Sequence, residues 1–164
     1  MPPRFLIAAA VLTTLMGGCA PGSPSGAPSG SPSTSRTAEA AEYVPMAGPA
    51  DLPFSALVRV GPMLYLSGQL GTDSTGHLVA GGIGPETAQA LANIRALLQA
   101  HGSSMDRVVK CTAMLADMAE WGAMNREYVR FFTAHRPARS AFGTTGLALG
   151  ARIELECTAL AGPA

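Results

Sequence analysis

The clearest periodicity in the chain runs over residues 84–104, GPETAQALANIRALLQAHGSS. Leu91, Ile94 and Leu98 recur at helical spacing with Ala90 and Leu97 beside them, so one face of a helix is apolar. Pro85 suits the first turn, Glu86 complements the dipole there, and Gly102 after His101 closes the end. A second helix is predicted over 118–132, MAEWGAMNREYVRFF, with a stripe of Trp121, Met124, Tyr128, Phe131 and Phe132. Asn125 falls inside that stripe, four residues after Trp121 and three before Tyr128. A polar side chain there needs a hydrogen-bond partner, and a backbone group is the simplest one.

Elsewhere the period is two. ALVRVGPMLYLSGQLG, 56–71, alternates at Val58 and Val60, then at Leu64 and Leu66, which reads as two strands across Gly61-Pro62. TDSTGHLV, 72–79, is turn chemistry. Over 105–118, MDRVVKCTAMLADM, the set Val109, Cys111, Ala113 and Leu115 faces one way and Val108, Lys110, Thr112 and Met114 the other, as in a central strand. SAFGTTGLAL is a weaker strand. ARIELECTAL, 151–160, is a strong one, with Ile153, Leu155, Cys157 and Ala159 inward and Arg152, Glu154, Glu156 and Thr158 outward. The order β-β-α-β-α-β-β predicts an α+β sandwich of ferredoxin-like type, a mixed sheet with two helices on one face. The other face keeps apolar positions such as Val108 and Met114. A further subunit is its simplest cover.

The N-terminal third does not share this patterning. Residues 1–18, MPPRFLIAAAVLTTLMGG, carry one charge, Arg4, ahead of a short apolar run, the layout of a secretory signal peptide. LMGGC then resembles the lipobox of bacterial lipoproteins, with Met16 where leucine is usual. On that reading Cys19 is lipidated and anchors the exported protein at a membrane surface, periplasmic or external. The alternative is an ordinary leader cut near Ala20. Residues 19–45 are rich in Pro, Gly, Ser and Ala and are expected to form a tether. The folded domain is expected over 46–164.

Charge narrows the partners. The chain is 13% charged, with 11 basic and 11 acidic residues. Loss of Arg4 with the leader leaves a mature protein near −1, without the basic patch that a nucleic-acid phosphate backbone requires. Cys111 and Cys157 form either a disulfide or two buried thiols. Their spacing fits no zinc motif, and His77, His101 and His135 have no partners at metal-ligand spacing.

The polar exceptions on this apolar frame are Ser67-Gly68-Gln69 at a strand end, Asn125, the pair Arg136 and Arg139, and Glu154 with Glu156. Arg139 can present a planar fork to a carboxylate. A glutamate in a partly apolar cleft can activate water or pass a proton. Glu156 has a second reading, as a cross-strand partner of Lys110. These groups suit a small anionic substrate and a hydrolytic or proton-transfer step.

LYLSGQL, the 86–118 stretch, MNREYVRFF, RPARSA and RIELECTAL together resemble, in order and spacing, the RidA (YjgF) family over about residues 50–160. The resemblance implies a chorismate-mutase-like fold and a homotrimer with clefts between subunits. It implies hydrolysis of reactive imino or enamine acids, of 2-aminoacrylate type, to 2-oxo acids and ammonium, without metal or organic cofactor. By position, Arg139 matches the arginine that grips the substrate carboxylate and Glu154 the glutamate near the attacking water. Ser67, Gly68, Asn125 and Phe54 match cleft positions, whereas Arg136 lies before the motif, as a surface or subunit-contact residue. The chain departs from the family pattern at Phe54, where tyrosine is usual, and at Ala141, where cysteine is usual. Two other functions compete: a tethered module that binds a small carboxylate without turning it over, and an endoribonuclease, which the neutral charge disfavours.

Overall fold

The computed structural model describes residues 40–46 and 52–162. The leader and Cys19 lie outside the described residues, as does the tether up to residue 39.

The first strand, β1 (Glu42–Pro45), falls inside the stretch expected to be tether. It pairs antiparallel with β2 (Ser55–Val60), Val44 opposite Leu57, so the sheet begins before residue 46. Four residues without a buried side chain carry no readable period, which is why this strand is silent in the sequence. β2 turns at Gly61, φ 56°, into β3 (Met63–Leu66). A two-residue β4 (Gln69–Leu70) follows, and then helix α1 (Ile83–Ala100). A single 3-10 turn, Met105–Arg107, leads into β5 (Val108–Leu115). Another, Met118–Glu120, leads into α2 (Trp121–Phe131), and the chain ends through β6 (Ala138–Gly143) and β7 (Ile153–Leu160).

The sheet order is β1-β2-β3-β7-β5-β6, with β4 also pairing β7. All pairs are antiparallel except β5 with β6. That parallel pair needs a crossover, and α2 supplies it. The expected mixed sheet with two helices is therefore the observed fold. Leu57 and Leu64 from the sheet, Leu91, Ile94 and Leu98 from α1, Met124 from α2 and Ile153 and Leu155 from β7 are all essentially inaccessible. Each such side chain contributes about 1.5–3 kcal/mol by leaving water.

Three sequence expectations change here. Val108 is buried and Val109 is exposed, the reverse of the simple alternation. The β5–β7 register shifts between Val108 and Lys110, so Val109 is the extra residue of a bulge and the strand's phase flips there. Trp121 is 45% exposed at the start of α2, so the buried stripe begins at Met124. Lys110 gives its Nζ to Ser140 Oγ at 2.8 Å on β6, instead of pairing with Glu156, which stands opposite Thr112. Of the two readings of the cysteines, the structure takes the disulfide: Cys111 and Cys157 face each other across β5 and β7 and are bonded, with Cα atoms 4.1 Å apart.

The sheet face away from the helices stays open. Val60, Tyr65, Phe142 and Leu160 lie there, all at least a third exposed.

Candidate active site

Arg139 sits on the edge strand β6, in register with Cys111, whose side chain is in the core. Its side chain therefore leaves the sheet on the helix side and runs against α2. There its Nη2 donates to Asn125 Oδ1 at 2.6 Å, Nη1 approaches Met124 Sδ at 3.7 Å, and the guanidinium lies over the Tyr128 ring, 4.5 Å from the centroid. Met124, Asn125 and Tyr128 fall within five residues on one side of the helix, so a single helical face orients the fork. No carboxylate pairs with Arg139 among the described residues. A half-buried guanidinium with spare donors and no anion has the geometry to receive a carboxylate.

Asn125 thus bonds to the arginine, where a backbone partner was expected. Tyr128 beneath it is 5% exposed and its hydroxyl has no partner among the described residues. Burial pushes that phenol up to about 12, against a smaller opposite pull from Arg139. The sequence places Tyr128 on the buried stripe, but its stacking under Arg139 depends on a strand eleven residues further on.

Glu154 lies in the other half of the site. It stands opposite Met114 of β5 and Leu70 of β4, between the buried Ile153 and Leu155. Its side chain leaves β7 on the open face of the sheet. Gly68 is packed against it: a Cβ there would occupy the space of the Glu154 carboxylate. Ser67 is next to Gly68, but both of its donors are spent within the fold, the hydroxyl on Ser55 O at 2.6 Å and the amide on Ala56 O at 3.0 Å. What remains to Ser67 is an acceptor role. Phe54, just ahead of β2, is 50% exposed.

The structure brings the expected residues together as two groups, Arg139 with Asn125, and Glu154 with Gly68 and Ser67. The two groups lie on opposite faces of one sheet, with β5 between β6 and β7. Arg136 is exposed and belongs to neither. A cleft of about 520 Å³ between α1 and α2, lined by Arg95, Glu127, Arg130 and Phe131, holds none of these residues.

Beside the second group is an ion pair that spacing does not reveal. Arg152, two residues before Glu154, donates from Nε to Glu120 Oε2 at 2.7 Å, and its Nη2 lies 2.6 Å from Glu120 Oε1. The hydrogen bonds and charge of Glu120 raise the Arg152 guanidinium above its ordinary value. The Arg152 amide donates to Glu86 Oε2 at 2.8 Å, and Glu86 is 5% exposed. Glu86 thus does more than complement a helix dipole.

Comparison with known proteins fits this architecture. The family profile described as Endoribonuclease L-PSP matches residues 46–161. A mouse (Mus musculus) protein named 2-iminobutanoate/2-iminopropanoate deaminase is 43% identical over 112 residues, 68% of this chain and 83% of its own length. The crystal structure of RidA from an Antarctic Psychrobacter superposes with a TM-score of 0.65 at 32% identity, covering 72% of this chain and 94% of that one. TdcF from E. coli, solved with bound serine, superposes at 0.64 with 28% identity, covering 68% and 90%. The chain belongs to the RidA/YjgF family.

Proposed function

We propose that this protein is a 2-imino acid deaminase that acts as a homotrimer, each active cleft taking Arg139 and Asn125 from one subunit and Glu154 and Gly68 from its neighbour. The observation that carries this is the unpaired Arg139 fork, separated by the sheet from the only acid expected to work with it. Relatives named for imine deamination, and one solved with an amino acid bound, support the substrate class. The open apolar face offers the cover that a neighbouring copy would provide.

The chemistry follows from the two groups. Arg139 takes the substrate carboxylate through two parallel N–H donors, which fixes the C=N carbon. Water adds to that carbon. Glu154 accepts the proton the water loses and returns it to nitrogen, and the carbinolamine collapses to a 2-oxo acid and ammonium. An enamine such as 2-aminoacrylate enters by first tautomerising to 2-iminopropanoate. Water is the nucleophile and no electrons move between molecules, so the reaction calls for no cofactor. In the test, imines are generated in situ by an amino-acid oxidase and trapped with semicarbazide. The domain beginning at residue 40 lowers the trapped fraction, and Arg139→Ala does not. If neither protein lowers it for small, aliphatic or aromatic imines, the deaminase reading falls and a carboxylate-binding module takes its place.

We infer also that the domain works outside the cytoplasm, tethered through a lipid on Cys19. The leader pattern and the Cys111–Cys157 bond, which suits an oxidising compartment, support this. Intact mass of the membrane fraction should show acyl chains that Cys19→Ala abolishes. A wild-type mass without them would overturn the anchor.

A further inference from the structure

The buried Glu86 takes no part in the proposed chemistry, and Arg152 is too far committed to other groups to meet a substrate. Arg152 is nonetheless held at three points. Its amide goes to Glu86 at 2.8 Å, its carbonyl accepts from the Ala116 amide at 3.0 Å, and its guanidinium is bidentate on Glu120. These three partners come from the first turn of α1, the end of β5 and the residue that opens α2. Gly71 closes over Glu86 so tightly that a Cβ there would lie 2.5 Å from the Glu86 Cα. Just before Arg152 the chain does the opposite. The turn Ala148–Gly150 is exposed, and Leu149 is held in the left-handed region, φ 60°, which is costly for a leucine. The loop leading into β7 is therefore strained and exposed, and it ends at a residue held by three partners.

We propose that Glu86 and Glu120 act through Arg152 as a clamp that sets where β7 starts, making Arg152 the positioning residue for the Glu154 carboxylate two residues on. The Glu154 carboxylate accepts no hydrogen bond from a side chain among the described residues, so its placement depends on where its backbone is held. Glu86 anchors the backbone of Arg152 and Glu120 its side chain. The acid half of the site hangs on the Glu86 arm of this clamp. The fork half, built from β6 and α2 around Arg139, meets only the Glu120 arm, at the start of α2.

That separation gives the test, whose kinetic part rests on the deaminase reading. In Glu86→Ala the Arg152 amide loses its acceptor. The expected result is a kcat lower by roughly tenfold, the scale of a sub-ångström misplacement of a reacting group, with KM within about twofold of wild type. Glu86→Gln keeps a carbonyl oxygen at the same place and restores kcat. A merely structural loss would move KM, kcat and Tm together in both variants. Glu120→Ala, which leaves the core intact, should show the same split with a smaller kcat loss.

Amide hydrogen exchange over residues 144–156 reads the clamp without any substrate. Exchange at Arg152 speeds up in Glu86→Ala and stays slow in Glu86→Gln. Equal exchange in all forms, a Glu86→Gln as impaired as Glu86→Ala, or a loss that falls on KM would overturn the proposal. A wild type without deaminase activity would overturn the functional reading instead, and the exchange contrast would then decide the clamp.

Discussion

At the scale of single residues the account turns on Arg139 and what lies under it. The guanidinium is oriented by Asn125 and by the Tyr128 ring, and on the proposed function truncation removes a charge-assisted pair with the substrate carboxylate. Arg139→Ala should lower kcat/KM by roughly a hundredfold, mostly through KM, which steady-state kinetics on trapped imines would show. Tyr128→Phe keeps the stack and removes a buried hydroxyl that has no partner, so activity should hold within about twofold and stability should not fall. The pH dependence has a definite sign. Tyr128 titrates near 10 when unfolded and at about 12 when folded, so its neutral form favours the fold fully below pH 10. That contribution is lost as pH rises from about 10 to 12. The fall in Tm over that window should be shallower in Tyr128→Phe than in wild type. Gly68 makes the matching point in the other half, because a methyl there displaces the Glu154 carboxylate. Gly68→Ala should cost kcat at least tenfold with little change in KM.

At the scale of elements, periodicity foretold both helices and the strong strands, because Leu91, Ile94 and Leu98 on α1 and Ile153, Leu155, Cys157 and Ala159 on β7 keep strict phase and are buried as expected. What period could not show were breaks in phase and partners chosen by tertiary packing. The Val109 bulge inverts one strand's faces by a single residue. Trp121 has the right spacing for the core but precedes the part of α2 that the sheet covers. Lys110 finds Ser140 because β6 runs parallel beside it, which spacing does not encode. The bond between Cys111 and Cys157 ties the two longest strands together, 46 residues apart in sequence. Cys111→Ala with Cys157→Ala should lower unfolding free energy by about 2–4 kcal/mol in denaturant titrations under oxidising conditions. Under reducing conditions the difference should largely vanish.

At the scale of the whole molecule, the residues of the proposed site can be named one by one from the sequence, but their arrangement cannot. Arg139 and Glu154 are recognisable from RPARSA and RIELE, yet only the sheet shows that they project from opposite faces. On the proposed reading one folded chain supplies two halves of a cleft, and the groove of about 520 Å³ between α1 and α2 is separate from both. The open face should be where copies meet. Tyr65→Arg, on that face and nearly half exposed, should shift the protein to monomer in light scattering and abolish activity without touching Arg139 or Glu154.

The most direct test of a shared cleft is complementation. Arg139→Ala and Glu154→Ala are each prepared alone, shown to be inactive, then unfolded and refolded together. In a closed ring, some clefts of the mixed oligomers receive a wild-type Arg139 from one subunit and a wild-type Glu154 from the next. Random mixing predicts recovery of about a quarter of wild-type deaminase activity. A mixture that assembles fully and stays as inactive as its parents would contradict the account, because it would mean that fork and acid do not meet across a subunit boundary.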